Sequence, residues 1–248
     1  MTLEQFFQEH PKVTIAFSGG VDSSYLLYAA LKCHAQVRAY YVKTAFQPEF
    51  EYRDAQNLAA RLHADLRILH LDVLEKKEIT ANPCNRCYFC KQTIFTAIRQ
   101  AAMEDGYSLI LDGTNASDDA SDRPGMKALK ELSVRSPLRE SGLTKQQIRT
   151  LSREADLFVW NKPAYACLAT RIPTGTNITR TILENTEKAE DCLFSLGFTD
   201  FRVRYLNGSA RIQLPENQLT LFLQHRAAIL DQLKIWYNHV LLDLEVRP

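Results

Sequence analysis

The sequence predicts an α/β fold, a parallel sheet covered on both faces, with a smaller α+β domain after it. Three observations point there. Short apolar runs alternate with helical patterns from residue 12 onward. A glycine turn, SGG, closes the first apolar run and opens the first of these helices. Past Trp160 the alternation stops at a loop rich in Pro, Gly and Thr, and a strand pair joined by Asn207 and Gly208 follows. Alternating strands and helices bury both faces of a parallel sheet, and an Asn-Gly pair between two strands is a strong hairpin signal.

Each element has its own signal. KVTIAF, residues 12 to 17, is a first strand, and Asp22 through Lys32 a helix. Val37 to Val42 is a second strand, and about Pro48 to Leu62 a helix with proline at its start. Leu66 to Leu71 reads as a third strand, Lys91 to Met103 as a helix, and Tyr107 to Leu111 as a fourth strand. Ser133 to Arg135 adds a strand before a helix that begins near Thr144. The loop NKPAYACLATRIPTGT then divides the chain into expected domains 1–160 and 161–248. Beyond it come a helix (about Thr181 to Leu196), strands Phe201 to Tyr205 and Ala210 to Leu214, a further helix, and a last strand from Val240.

Composition narrows the function. Apolar residues make up 46% and charged residues 24% of the 248, which is ordinary globular usage. A formal charge of +1 supplies no global field for nucleic acid or an anionic membrane and points to a small-molecule substrate. MTLEQFFQEHPK lacks the plan of a signal peptide, and no run approaches the roughly 18 apolar residues of a membrane span. A soluble cytoplasmic protein is expected. Three of the six cysteines fall within NPCNRCYFCK, which is not how a secreted disulfide framework is spaced. In a reducing compartment that cluster suggests metal binding or catalysis.

The segment SGGVDSS, residues 18 to 24, is the most informative. Gly19 and Gly20 permit a tight turn that aims successive N–H groups at an anion, and the following helix directs its N-terminal dipole to the same place. Ser18, Ser23 and Ser24 add hydroxyls. The spacing and lysine of a Walker A loop are absent. The segment resembles the PP-loop of the ATP pyrophosphatases, S-G-G-x-D-S after the first strand. This resemblance implies cleavage of ATP between the α and β phosphates and transfer of AMP to a substrate oxygen. It makes Ser18, Gly19, Gly20, Val21, Asp22, Ser23 and Ser24 the expected ATP-binding residues. A helix cap without a ligand would explain the serines alone. DGTNASDD follows the fourth strand, where an open α/β sheet collects ligands. Gly113 and Thr114 are expected to line the ATP pocket, with Asp118 or Asp119 as candidates to hold Mg²⁺.

The cysteines carry the second half of the chemistry. Cys84, Cys87 and Cys90 recur every three residues, and thiolates at that spacing converge on one zinc or iron–sulfur site or form a buried apolar group. Cys167 lies in PAYACLATRIPTG, where Arg171 and Arg180 would favour its thiolate, the attacking form. Cys33 and Cys192 fall on helical segments and are expected in the core.

SGGVDSS, NRCYFCK, DGTNASDD, RSPLRESGLTK, PAYACLATRIPTG and FRVRYLNGSARIQLP together resemble the LarE family of ATP-dependent sacrificial sulfur transferases, through nearly the whole chain. The resemblance implies a PP-loop domain and an activity that adenylates the carboxylates of pyridinium-3,5-biscarboxylic acid mononucleotide and converts them to thiocarboxylates for a nickel-pincer cofactor. Cys167 is the implied catalytic thiol, and Arg171, Glu190, Arg202 and Arg204 the implied substrate-site residues. A second group of the family is thought to hold a [4Fe-4S] cluster on three cysteines; here these would be Cys87, Cys90 and Cys167, with Cys84 extra. ATP, Mg²⁺ and that cluster are the implied cofactors, and homo-oligomers, hexamers among them, the family's tendency. The alternatives are a PP-loop tRNA thiolase, disfavoured by the near-neutral charge, and a non-catalytic ATP-binding module with a structural zinc site.

Overall fold

In the computed structural model, which describes residues 1–118 and 124–245, the chain divides into two compact units. The first takes Met1–Val73 and Asn85–Tyr165; the second takes Leu74–Cys84 and the chain from Ala166 on.

The first unit opens with α1 (Leu3–Glu9), held by a capping box in which Thr2 and Gln5 satisfy each other's backbone N–H groups. Then come β1 (Lys12–Ala16), α2 (Val21–Lys32), β2 (Gln36–Lys43), α3 (Glu49–Arg61) and β3 (Asp65–His70). The short α4 (Lys77–Thr80) belongs to the second unit. The first resumes with α5 (Arg86–Glu104), β4 (Ile110–Leu111), α6 (Pro124–Glu131), α7 (Pro137–Glu140) and α8 (Lys145–Glu154). Its sheet is parallel throughout, in the order β3-β2-β1-β4. Strand order therefore reverses between β1 and β4, and the crevice outside their carboxyl ends is where such sheets bind ligands. SGGVDSS follows one of these strands and DGTNASDD the other.

Both sheet faces are packed. Val13, Ile15, Leu26, Leu27, Ala55 and Leu58 belong to one core, and Tyr40, Phe95, Ile98 and Ile110 to another. The α/β fold predicted from the strand–helix alternation is the fold observed. Three details differ. The helix expected from Lys91 begins at Arg86, which puts Cys87 and Cys90 on its first turns. The fourth strand is only two residues long, because just Ile110 and Leu111 pair with β1. The strand expected at Ser133 to Arg135 is reduced to one parallel bridge, Leu111 to Arg135.

The second unit contains α9 (Arg180–Ser195), β5 (Arg202–Leu206), β6 (Ser209–Gln213), α10 (Leu219–Gln224), α11 (Arg226–Leu233) and β7 (His239–Leu242). β5 and β6 form the expected antiparallel hairpin, and β7 joins β6 in parallel. Asn207 (φ +47°) and Gly208 (φ +81°) make its turn, both in the left-handed region that this hairpin requires. Leu193, Phe198, Phe201, Val203, Ile212 and Ile229 form its core. Among the described residues, no helix is long and apolar enough to cross a membrane.

Candidate functional site

Below β1 the backbone breaks its pairing and turns. Gly19 has φ +74°, and a Cβ there would stand 2.9 Å from Ala55 Cβ, so the turn is pressed against α3 and only glycine fits. Gly20 is the N-cap of α2 and offers no side-chain cap. The first N–H groups of α2 have no partner inside the helix and are left to face an anion. Ser23 staples the loop: its Oγ donates to Gly20 O (3.2 Å), lies 3.0 Å from Ser18 Oγ and accepts from Ser18 N (3.2 Å). Ser24 is fully buried, and its hydroxyl has no hydrogen-bond partner among the described residues. Val21 is buried in the core behind the loop.

The loop after β4 crosses the start of α2. A Cβ on Gly113 would lie 2.8 Å from Ser23 N, so the two backbones touch. The buried Asp112 accepts from Ser136 Oγ (2.6 Å) and Thr114 Oγ1 (2.5 Å), which commits the Thr114 hydroxyl to the loop itself. Asn115, also buried, donates through Nδ2 to Asp22 Oδ1 (3.3 Å). Asp22 Oδ2 is paired with Lys145 Nζ at 2.5 Å. Asp118 Oδ2 accepts from Asn115 N (2.9 Å), while Asp119, the other Mg²⁺ candidate, lies outside the described residues. Asn115 and Lys145 were not singled out from sequence, although DGTNASDD and RSPLRESGLTK contain them. Nothing in their spacing links them to Asp22.

In the second unit, Cys167 is the N-cap of a 3₁₀ turn, Leu168–Arg171, and its carbonyl accepts from Thr170 N (2.9 Å) and Thr170 Oγ1 (2.8 Å). Arg171 and Glu190 are almost wholly buried, with side chains 1% and 2% exposed, and pair through Nε–Oε1 (2.7 Å) and Nη2–Oε2 (3.3 Å). Arg171 Nη1 also donates to Ala166 O (3.2 Å), and Glu190 Oε1 accepts from Val203 N (3.0 Å). The pair thus joins the Cys167 turn to α9 and β5. Arg204 Nη1 reaches the same turn at Thr170 O (3.1 Å), and its Nε donates to Gln213 Oε1 (3.2 Å). Arg202 is buried, its Nη1 donating to Phe201 O at 2.5 Å. All four residues implied by the resemblance therefore lie on α9, on β5 or on the turn of Cys167.

A further brace was not foreseen. Asn82, buried and at φ +53°, donates through Nδ2 to Pro173 O (2.8 Å) and Ile172 O (3.3 Å), and its carbonyl accepts from Gly175 N (2.8 Å). The Lys77–Cys84 stretch thereby holds the chain that leaves the Cys167 turn, though it precedes it by some ninety positions.

The cysteines form no disulfide, and Cys33 and Cys192 pack against the two cores, where burial pushes their thiol pKa values up. Cys84 and Cys87 are exposed, and Cys90 and Cys167 half-buried. Among the described residues, no three His, Cys, Asp or Glu side chains are gathered as a metal site needs.

The asparagine synthase family profile matches residues 4–101, which include the SGGVDSS loop. The chain is 36% identical to the protein slr1717 of Synechocystis, over 98% of this chain and 92% of that one. It is 34% identical to the pyridinium-3,5-bisthiocarboxylic acid mononucleotide synthase of Lactiplantibacillus plantarum, over 98% of this chain and 89% of that enzyme. A tRNA-specific 2-thiouridylase, MnmA of Thermotoga maritima, is 26% identical over 61% of this chain and 54% of its own. Likeness to a synthase of this kind along nearly the full length, with a PP-loop at the sheet's switch point, places the chain in the LarE family of the PP-loop ATP pyrophosphatases.

Proposed function

We propose that the chain is an ATP-dependent sulfur transferase that adenylates the carboxylates of pyridinium-3,5-biscarboxylic acid mononucleotide and converts them to thiocarboxylates, releasing AMP and pyrophosphate. The observation that carries this is the glycine turn at the β1–β4 switch point, which leads into the N-terminus of α2 with no side-chain cap. The similarity to the L. plantarum synthase supports the identity of the substrate. Nucleotide chemistry belongs to residues 1–160 and sulfur transfer to 161–248. A substrate carboxylate oxygen attacks the α-phosphorus, the bond to the bridging oxygen breaks, and pyrophosphate leaves. The Cys167 thiolate then attacks the acyl carbon and expels AMP, forming a thioester. Loss of the Cys167 α-proton to a base, with cleavage of the Cβ–S bond, leaves a thiocarboxylate on the substrate and dehydroalanine in the chain. Arg202 and Arg204 supply charge for the substrate phosphate, and Arg171 with Glu190 fixes the turn that presents the thiol.

The alternative sulfur source would be a [4Fe-4S] cluster, which would supply sulfide. Cys87 and Cys90, three residues apart on α5, share a helix face and suit two of its ligands, with Cys167 as the third. The described side chains do not gather such a set, and no step above passes through a cluster.

The test is to incubate the protein with ATP, Mg²⁺ and the biscarboxylate nucleotide and identify products by mass spectrometry. The Asp22→Asn and Ser24→Ala variants should lose substrate-dependent pyrophosphate release. Normal release by both would refute the assignment of the loop. Intact-protein mass separates the two sulfur sources: one turnover with loss of H₂S at Cys167, or several turnovers with that cysteine unchanged in brown, anaerobically purified protein.

A further inference from the structure

We propose that Lys162 is a positioning residue for sulfur transfer: it ties the segment that leads into Cys167 to α3, the helix against which the Gly19 turn is pressed, and so limits where the thiol begins its attack. This rests on the function proposed above. Residues 162–166 belong to no helix or strand, yet the segment is gripped from two sides.

Its backbone is held by α8. Arg149 donates through Nη1 to Trp160 O (2.7 Å) and through Nη2 to Lys162 O (2.8 Å), while Lys162 N donates to Val159 O (3.1 Å). Its side chains are held by α3. Lys162 Nζ lies 2.6 Å from Asp54 Oδ2 and 2.9 Å from Glu51 Oε1, joining residues 108 apart in sequence in the first of these pairs. The same ammonium stands 5.3 Å from the centre of the Phe50 ring, and Phe50 meets Tyr165 edge to face with centroids 4.8 Å apart.

Glu51 and Asp54 share a helix face three residues apart, where like charges repel, and Lys162 offsets that repulsion. The Lys162 and Glu51 side chains are only 17% and 13% exposed, so salt and water screen their attraction weakly. An unstructured segment that is held this firmly loses conformational freedom for no gain of its own; what gains is the residue it carries. Two extended residues span at most about 7 Å, so fixing Tyr165 confines the Cys167 backbone two positions on. A thiolate that must meet an acyl carbon at near-attack distance profits from that restraint, whereas adenylation of the substrate at the SGGVDSS loop does not need it.

The test compares wild type, Lys162→Met and Lys162→Arg in a single turnover with ATP, Mg²⁺ and the biscarboxylate nucleotide, alongside hydrogen exchange of peptides covering residues 160–167. Lys162→Met should exchange these amides about tenfold faster, release pyrophosphate within about twofold of wild type, and form thiocarboxylate about tenfold to a hundredfold more slowly. Lys162→Arg should restore most of both losses, which a general folding defect in the Met variant would not explain. Unchanged exchange, sulfur transfer at the wild-type rate, or equal slowing of pyrophosphate release and sulfur transfer would each overturn the positioning role. Wild type that releases no pyrophosphate with this nucleotide would overturn the proposed function and this role with it, a failure distinct from that of the tether alone.

Discussion

Replacing Glu190 with Ala should destabilise the second unit more than any surface change in it. The carboxylate meets Arg171 through two contacts and accepts the Val203 backbone N–H, all in a site closed to water. Removing one partner of a buried ion pair leaves the other charge behind, which costs about 3–5 kcal/mol. The Val203 N–H, left without this acceptor, costs about 1–3 kcal/mol unless the site relaxes. Against a typical total of about 5–15 kcal/mol, that loss is large. Glu190→Gln keeps an acceptor for Val203 and should cost about 1.5–3 kcal/mol. The double variant Arg171→Met with Glu190→Leu should cost much less than the sum of the two single changes, because it removes both charges together. Urea unfolding followed by Trp236 fluorescence measures this. A Trp160→Phe background, which removes the other of the two tryptophans, confines the signal to the second unit. A Glu190→Ala variant within about 1 kcal/mol of wild type, or strict additivity in the double variant, would refute the pair as the support of the Cys167 turn.

Two further predictions follow from packing and burial. Gly113→Ala must push a methyl group against the backbone of Ser23 and should weaken ATP binding by about tenfold or more, from roughly 1–3 kcal/mol of strain; unchanged ATP affinity by calorimetry would show that the two loops part without cost. Burial pushes the Tyr237 phenol pKa up to about 12 from its ordinary 10.0. Since the folded value is the higher one, the stability this group contributes is fully present below pH 10 and is lost as pH rises from 10 to 12. The stability gap between wild type and Tyr237→Phe should therefore be constant below pH 10 and narrow above it; a gap that stays constant to pH 12 would contradict this.

Much of the fold was legible because its signals are local. The strands of both sheets lie near their expected positions, since apolar runs of strand length bounded by turn residues have few other uses. Asn207-Gly208 announced its hairpin because few residue pairs tolerate two left-handed conformations in succession. Some local signals were passed over. Thr2 and Gln5 formed a capping box in plain view, and α1 begins there. The start of α5 at Arg86 was harder to see, because Asn85 provides no side-chain cap and the cysteine spacing suggested a ligand loop instead.

The sequence by itself determined the α/β class, the place of the glycine turn after β1, the hairpin of the second unit and, through its motifs, the family. Only the tertiary structure decided which charges meet. The pairs Asp22 with Lys145 and Arg171 with Glu190, and the grip of Asn82 on Pro173, join elements distant in sequence. It also showed that Arg171 faces a carboxylate in the interior and that Lys145 stands beside the SGGVDSS loop. The physical reason is that periodicity and turn chemistry record how each residue sits within its own element, whereas an ion pair depends on where chain folding brings two elements together.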